Sequence, residues 1–206
     1  MKIGIDIDNT VANAYEAWKP WMDKLTKTLN VSGDKMNAAQ NFKGYAKNLS
    51  EKQIADFKEF CRIHQSNGSL VYPTIAGAKD VIVSLKQKGH EIYFVSARKD
   101  EYWDDAEKMS AQWLKTNGIP FDSLAVECKN KAEYCKALDI DVLIDDNLPI
   151  CECAASAGIH AIYFFDELQP LKKCALNKNP NIISCGCWKD IQKTLTEIEL
   201  AHKIKR

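Results

Sequence analysis

The chain has no excess charge of either sign: 28 Lys and Arg balance 28 Asp and Glu over 206 residues. Without a bulk positive field, nothing in the composition steers it toward a nucleic-acid polymer or an anionic membrane surface. Long hydrophobic runs are also missing. No stretch approaches the roughly 20 apolar residues that span a bilayer, and the first residues lack the apolar core of a secretory signal. The expectation is a cytoplasmic protein with no membrane and no nucleic-acid partner. Internal repeats and low-complexity segments are absent as well, which excludes a repeat array.

What is present is an ordinary globular composition, 46% apolar and 27% charged, in a chain long enough for one sizeable core or a core with a small insert. The eight cysteines need separate comment. With no secretion signal they are expected to be reduced thiols. Two C-x-C pairs occur, Cys151/Cys153 and Cys185/Cys187. Their spacing is tighter than that of ordinary zinc sites, which also need four converging ligands. They read as small packing or surface residues.

The hydrophobic pattern alternates strands and helices. Residues 2–7 form a short apolar run expected to be a buried strand. Over residues 12–29, Ala14, Trp18, Trp21, Met22 and Leu25 recur at helical spacing. Residues 30–50 are polar. Ser50-Glu51-Lys52-Gln53 resembles a capping box for a helix running to about residue 64, and Asn67-Gly68 is a turn signal.

From Pro73 the rhythm is regular. It predicts helices over 76–88, 102–116, 132–137, 149–157 and 189–203, and strands over 91–96, 123–126, 141–144, 160–165 and 182–184. Strands spaced by helices imply a three-layer α/β domain around a parallel sheet. The interval before Pro73 holds no convincing strand. It is expected to be a small helical cap, residues 12–71, inserted after the first strand into a core of residues 1–11 and 72–206. Its aromatic residues Trp18, Trp21, Phe42, Tyr45, Phe57 and Phe60 either glue the cap to the core or face a ligand.

The chemistry lies at strand ends. In Ile3-Gly4-Ile5-Asp6-Ile7-Asp8-Asn9-Thr10 an apolar run breaks into two carboxylates. Carboxylates there are costly unless something cationic neutralises them, and ligands of open α/β sheets bind at the C-terminal ends of strands. Three further segments reach the same edge: Ser96-Ala97-Arg98, the lysines Lys129 and Lys131, and Asp145-Asp146.

The combination has the logic of phosphoryl transfer. Carboxylates hold a hard divalent cation such as Mg²⁺. A lysine and a hydroxyl stabilise charge on the phosphoryl oxygens. One aspartate attacks phosphorus, and a second carboxylate moves the proton. Arg98 is either a fork for a substrate phosphate or a surface residue at a helix start. The histidines, His64, His90, His160 and His202, have no partners legible in the sequence and are read as structural or exposed.

These segments resemble the motifs of the haloacid dehalogenase-like (HAD) phosphatases. D-x-D-x-T stands as Asp6, Asp8 and Thr10, followed by Ser96, a lysine, and the pair Asp145-Asp146. The phrases IDIDNTVA, YFVSAR, NKAEYC and LIDDN, with an insert directly after the first motif, resemble the 5'(3')-deoxyribonucleotidase-type family within it.

The resemblance implies a Rossmann-like core and a Mg²⁺-dependent phosphatase of a small phosphomonoester, above all a (deoxy)nucleoside monophosphate. A sugar phosphate or other metabolite, or a HAD-fold binding module without catalysis, are the alternatives. Asp6 would be nucleophile and metal ligand. Asp8 would be general acid/base, with its backbone carbonyl on the metal. Thr10 would orient Asp8 or support the loop. Ser96 and Lys131 would bind the substrate phosphate, with Lys129 competing for the lysine role, and Arg98 stays the candidate fork beside them. Asp146 would ligate the metal directly, with Asp145 beside it.

Overall fold

The computed structural model describes residues 1–14, 50–68, 71–165 and 178–204. Among them, six strands form one sheet: β1 (Lys2–Ile5), β2 (Glu91–Val95), β3 (Ser123–Ala125), β4 (Val142–Asp145), β5 (His160–Phe164) and β6 (Ile182–Cys185). Six helices accompany them: α1 (Glu51–Gly68), α2 (Ala78–Gln87), α3 (Ala106–Thr116), α4 (Lys131–Ala137), α5 (Leu148–Ser156) and α6 (Trp188–Ile204). Every strand pair is parallel, and the order is β3-β2-β1-β4-β5-β6.

This order carries the functional consequence. From β1 the chain builds outward through β2 and β3, then crosses back to β4 on the other side of β1. Connections that leave two adjacent strands in opposite directions open a crevice at their C-terminal ends, where α/β proteins bind ligands. Here that crevice lies between the ends of β1 and β4.

Strand alternation sends side chains to two separate cores. Ile3, Ile5, Ile92, Phe94, Val142, Ile144, Ile162 and Phe164 share one with residues of α2, α3 and α6. Leu143, Ala161 and Tyr163 share the other with Cys135 of α4 and Cys151 and Ala154 of α5. The sheet is therefore covered on both faces, as the alternating sequence pattern implies.

Gly4 occupies the second face of β1, where a Cβ would lie 3.2 Å from Leu143 Cδ1 and 3.3 Å from Ile140 Cγ2. Gly4→Val is expected to overpack this layer and lower stability by about 1–3 kcal/mol. A lower denaturant midpoint at unchanged m-value checks it.

Three of the boundaries that differ from the sequence pattern do so for a clear local reason. β1 ends at Ile5, because the Ile7 carbonyl accepts the Val11 and Ala12 N–H groups at 2.9 and 2.8 Å and turns the chain. α3 begins at Ala106 instead of residue 102. Asp105, at φ 64°, is left-handed and caps the helix by accepting the Lys108 N–H. α1 runs on through Asn67-Gly68, so the expected turn is its last turn.

Of the segment expected to cap the sheet, α1 is described. Ser50 and Gln53 form the capping box: Ser50 N donates to Gln53 Oε1 at 2.9 Å, and Gln53 N donates to Ser50 Oγ at 3.3 Å. Lys58 pairs with Glu101 and Arg62 with Asp104, joining α1 to the loop after β2. Trp18, Trp21, Phe42 and Tyr45, and the side chains of Phe57 and Phe60, lie outside the described residues. No described helix is long and apolar enough to cross a membrane.

Candidate active site

β1 delivers Asp6 into the crevice. Asp6 N donates to Ile144 O at 2.9 Å, so the residue is held against β4 one step beyond the end of its own strand. The chain then reverses through Asn9, whose φ of 60° is left-handed. Asn tolerates that conformation better than most residues. The far side of this turn is pinned from α6: Trp188 Nε1 donates to Thr10 O at 2.9 Å, and the Trp188 ring packs 6.3 Å from Phe164. Trp188 has no motif around it, so its part in the loop is invisible in the sequence.

Lys131 joins the two strand ends. Its Nζ donates to Asp6 Oδ1 at 2.5 Å and to Asp145 Oδ2 at 2.7 Å, with all three residues buried. A cation at the first position of a helix normally opposes the helix dipole. Here two buried carboxylates outweigh that penalty. Burial acts to lower the Lys131 ammonium, but Asp145 and Asp6 overcome it and hold the group above the usual lysine range. Lys129, two residues earlier, is exposed. Of the two competing lysines, Lys131 is the one brought to the acids.

One lysine does not balance the site. Asp6, Asp145 and Asp146 can each turn a carboxylate oxygen to within 4.8 Å of the others. Burial pushes the Asp6 carboxyl up and Lys131 pulls it down, while Asp145, Asp146 and Asp8 add to the rise, and the balance leaves it at about 8. Three acids against one ammonium leave an excess negative charge in a poorly solvated crevice. An all-oxygen donor set of this kind fits a hard divalent cation, Mg²⁺ foremost. Asp145 is rigidly held, since its Oδ1 also accepts the Asn147 N–H at 2.8 Å. Asp146 is partly exposed. The Asp8 carboxylate is outside this group of three.

Asp8 instead meets Arg98. Arg98 Nε donates to Asp8 Oδ2 at 2.9 Å and Nη2 donates to Oδ1 at 2.7 Å, a two-point fork on one carboxylate. Nη1 donates to Ser110 Oγ at 2.9 Å. The fork that the sequence offered to a substrate phosphate is thus turned onto a side chain of the protein. Arg98 is also far from a surface residue, at 2% exposure. Ser110, in the middle of α3, carries no sequence signal.

Ser96 directly follows β2 and is buried. Its Oγ accepts the Arg98 N–H at 3.2 Å. A hydroxyl that accepts one bond still has its proton to donate, which suits a phosphate oxygen. The Thr10 hydroxyl is buried and has no hydrogen-bond partner among the described residues. The Thr10 carbonyl accepts the Trp188 N–H, and the Asp8 carboxylate is held by Arg98 and not by the Thr10 hydroxyl.

Each C-x-C pair is split by its element: Cys151 and Cys185 are buried, Cys153 and Cys187 exposed. Burial pushes the thiols of Cys135 and Cys151 well up, to about 12 for Cys135, which keeps them protonated and unreactive. No cysteine joins a group of candidate metal ligands among the described residues. His90 is buried, 3.2 Å from the N-terminal amine through Nδ1, which is a structural placement.

No family model matches the chain. Its fold is that of the HAD-like hydrolases, an α/β Rossmann-type architecture shared along nearly the whole length with several solved structures. The haloacid dehalogenase-like family protein SP0104 from Streptococcus pneumoniae superposes with TM-score 0.66 at 15% identity, covering 94% of this chain and 97% of that one. A structure described as a "predicted phosphatase from Clostridium acetobutylicum" gives TM-score 0.69 at 14% identity, covering 95% and 98%. The "putative HAD-hydrolase YfnB from Bacillus subtilis bound to magnesium" gives 0.62 at 14% identity, covering 95% and 98%. In sequence, the chain is 25% identical over 155 residues to a protein of Oceanobacillus iheyensis called "Putative nucleotidase OB0422", covering 71% of this chain and 77% of that protein.

Proposed function

We propose that this protein is a Mg²⁺-dependent phosphomonoesterase acting on (deoxy)nucleoside monophosphates through an aspartyl-phosphate. The observation that carries the reading is the Lys131 bridge between Asp6 and Asp145, with Asp146 and the forked Asp8 beside it, at the β1/β4 crevice. The magnesium of a solved structure with this fold supports the cation. The nucleotide rests on the phrases IDIDNTVA, YFVSAR, NKAEYC and LIDDN and on the relative called a nucleotidase. Residues 12–71, inserted directly after the first motif, would form a cap that excludes water and offers aromatic surface to a base.

Asp6, Asp145 and Asp146 would hold Mg²⁺, together with the Asp8 carbonyl that the resemblance implies. When bound, the ion supplies Lewis-acid neutralisation of the phosphoryl oxygens. Lys131 and the Ser96 hydroxyl bind those oxygens. Asp6 attacks phosphorus; the ester P–O bond breaks as Asp8 gives its proton to the departing alkoxide. Water then attacks phosphorus and passes its proton to Asp8, the bond from phosphorus to Asp6 breaks, and inorganic phosphate leaves with the Asp6 carboxylate restored.

The test is phosphate release from a panel of nucleoside monophosphates and sugar phosphates, in Mg²⁺ and in EDTA. Release from nucleotides only with Mg²⁺ is the expected result. Preference for a sugar phosphate would keep the mechanism and overturn the substrate. Release from nothing would overturn the enzyme reading.

A further inference from the structure

Arg98 is more elaborately held than a ligand for substrate needs to be. Its guanidinium is buried against the rings of Trp103 and Tyr72, with Cζ 5.3 and 6.0 Å from their centroids. Ser110 holds Nη1 from α3. The backbone is tied on both sides: Arg98 N donates to Ser96 Oγ, and Arg98 O accepts the Glu127 N–H at 2.8 Å. All of this presents one edge of the guanidinium to Asp8, whose side chain is 24% exposed and stands on the Asn9 turn.

We propose that Arg98 is a positioning residue for proton transfer: its fork fixes the plane of the Asp8 carboxyl against the leaving-group oxygen, and it does not bind the substrate phosphate. This rests on the phosphatase reading above. A carboxyl on a turn rotates about two side-chain bonds. Two parallel N–H···O bonds to its two oxygens fix both rotations at once, which a single ammonium does not do. Each oxygen keeps a second lone pair for the proton it exchanges with the ester oxygen or with water. The aromatic faces and Ser110 keep the guanidinium from following the carboxylate if it swings. The ion pairs Lys58–Glu101 and Arg62–Asp104 flank Trp103 in the chain, so α1 braces the loop that supplies one of those faces.

A proton donor matters in proportion to the basicity of the leaving group. A nucleoside 5'-oxygen must be protonated as it departs, whereas 4-nitrophenolate leaves without help. A phosphate ligand would matter equally for both esters, since they carry the same phosphoryl group. The ratio kcat/KM includes only the steps through loss of the leaving group, so hydrolysis of the aspartyl-phosphate does not blur the comparison.

The experiment measures kcat/KM of wild type, Arg98→Lys and Asp8→Asn on thymidine 5'-monophosphate and on 4-nitrophenyl phosphate. Arg98→Lys is expected to lose about a hundredfold on the nucleotide and severalfold at most on the aryl ester. Asp8→Asn is expected to show the same split, and the double variant to add little to it. Equal losses on both esters, carried by KM, would overturn the proposal and return Arg98 to the phosphate. If Arg98→Lys does not fold, Ser110→Ala leaves the fork in place but loosens it. It is expected to split the two esters in the same sense by a smaller factor, and an equal loss on both would again overturn the proposal. A wild-type protein inactive on both esters and across the phosphate panel would instead overturn the enzyme reading, and this inference with it.

Discussion

Asp6→Asn is expected to reduce phosphate release by at least roughly 10⁴-fold, because the amide cannot form the acyl phosphate that the two-step route requires. The fold should not suffer. Asn has the shape of Asp, and it replaces a carboxyl whose ionisation is opposed by burial and by Asp145 and Asp146 beside it. Lys131 keeps Asp145 as its partner. In chelator, the thermal midpoint of Asp6→Asn is therefore expected to equal or exceed that of wild type. Phosphate release and a melting curve on the same preparation check both halves. Near-wild-type activity would remove Asp6 as nucleophile.

Lys131→Met is expected to act in the opposite way on stability. Its ammonium is the one cation that the described structure places between Asp6 and Asp145, which are both buried. Breaking a buried ion pair by removing one partner costs about 3–5 kcal/mol, because the remaining charge is left uncompensated. Urea unfolding in EDTA should show a loss of that size, with part of it recovered in millimolar Mg²⁺. Met matches the length of the lysine stem, so packing changes little. Turnover should fall as well, since the phosphoryl oxygens lose a charge partner. An unchanged midpoint in EDTA would mean that Lys131 does not neutralise the pair.

The two variants separate two roles that one cluster combines. In the proposed mechanism Asp6 is costly to the fold and needed by the chemistry, so replacing it is expected to stabilise and inactivate. Lys131 would serve both, so replacing it is expected to destabilise and inactivate. Such opposition is ordinary where a site keeps like charges close together for catalysis.

Local patterns in the chain determined the broad architecture. Alternating apolar runs and amphipathic stretches specify strands and helices because each element must bury one face, and Gly89, Pro120 and Pro149 mark places where elements end or begin. The same patterns put Asp6, Ser96, Lys131 and Asp145 at strand ends or just beyond, and a parallel sheet gathers those ends at one edge. The capping box at Ser50 was legible for a related reason: its bonds join residues three apart.

What only the tertiary structure decided depends on distance along the chain. Lys129 and Lys131 stand two residues apart and share a charge, and nothing local tells them apart. Lys131 wins because the first turn of α4 points it at a residue 125 positions away. Arg98 finds Asp8 across 90 positions, and Trp188 finds the Thr10 carbonyl across 178. The start of α3 was set by Asp105 turning left-handed, not by the apolar spacing before it. Periodicity records which face of an element is buried. Which side chains meet once the faces are buried follows from strand order and crossover, and those pairings leave no mark in the neighbouring residues.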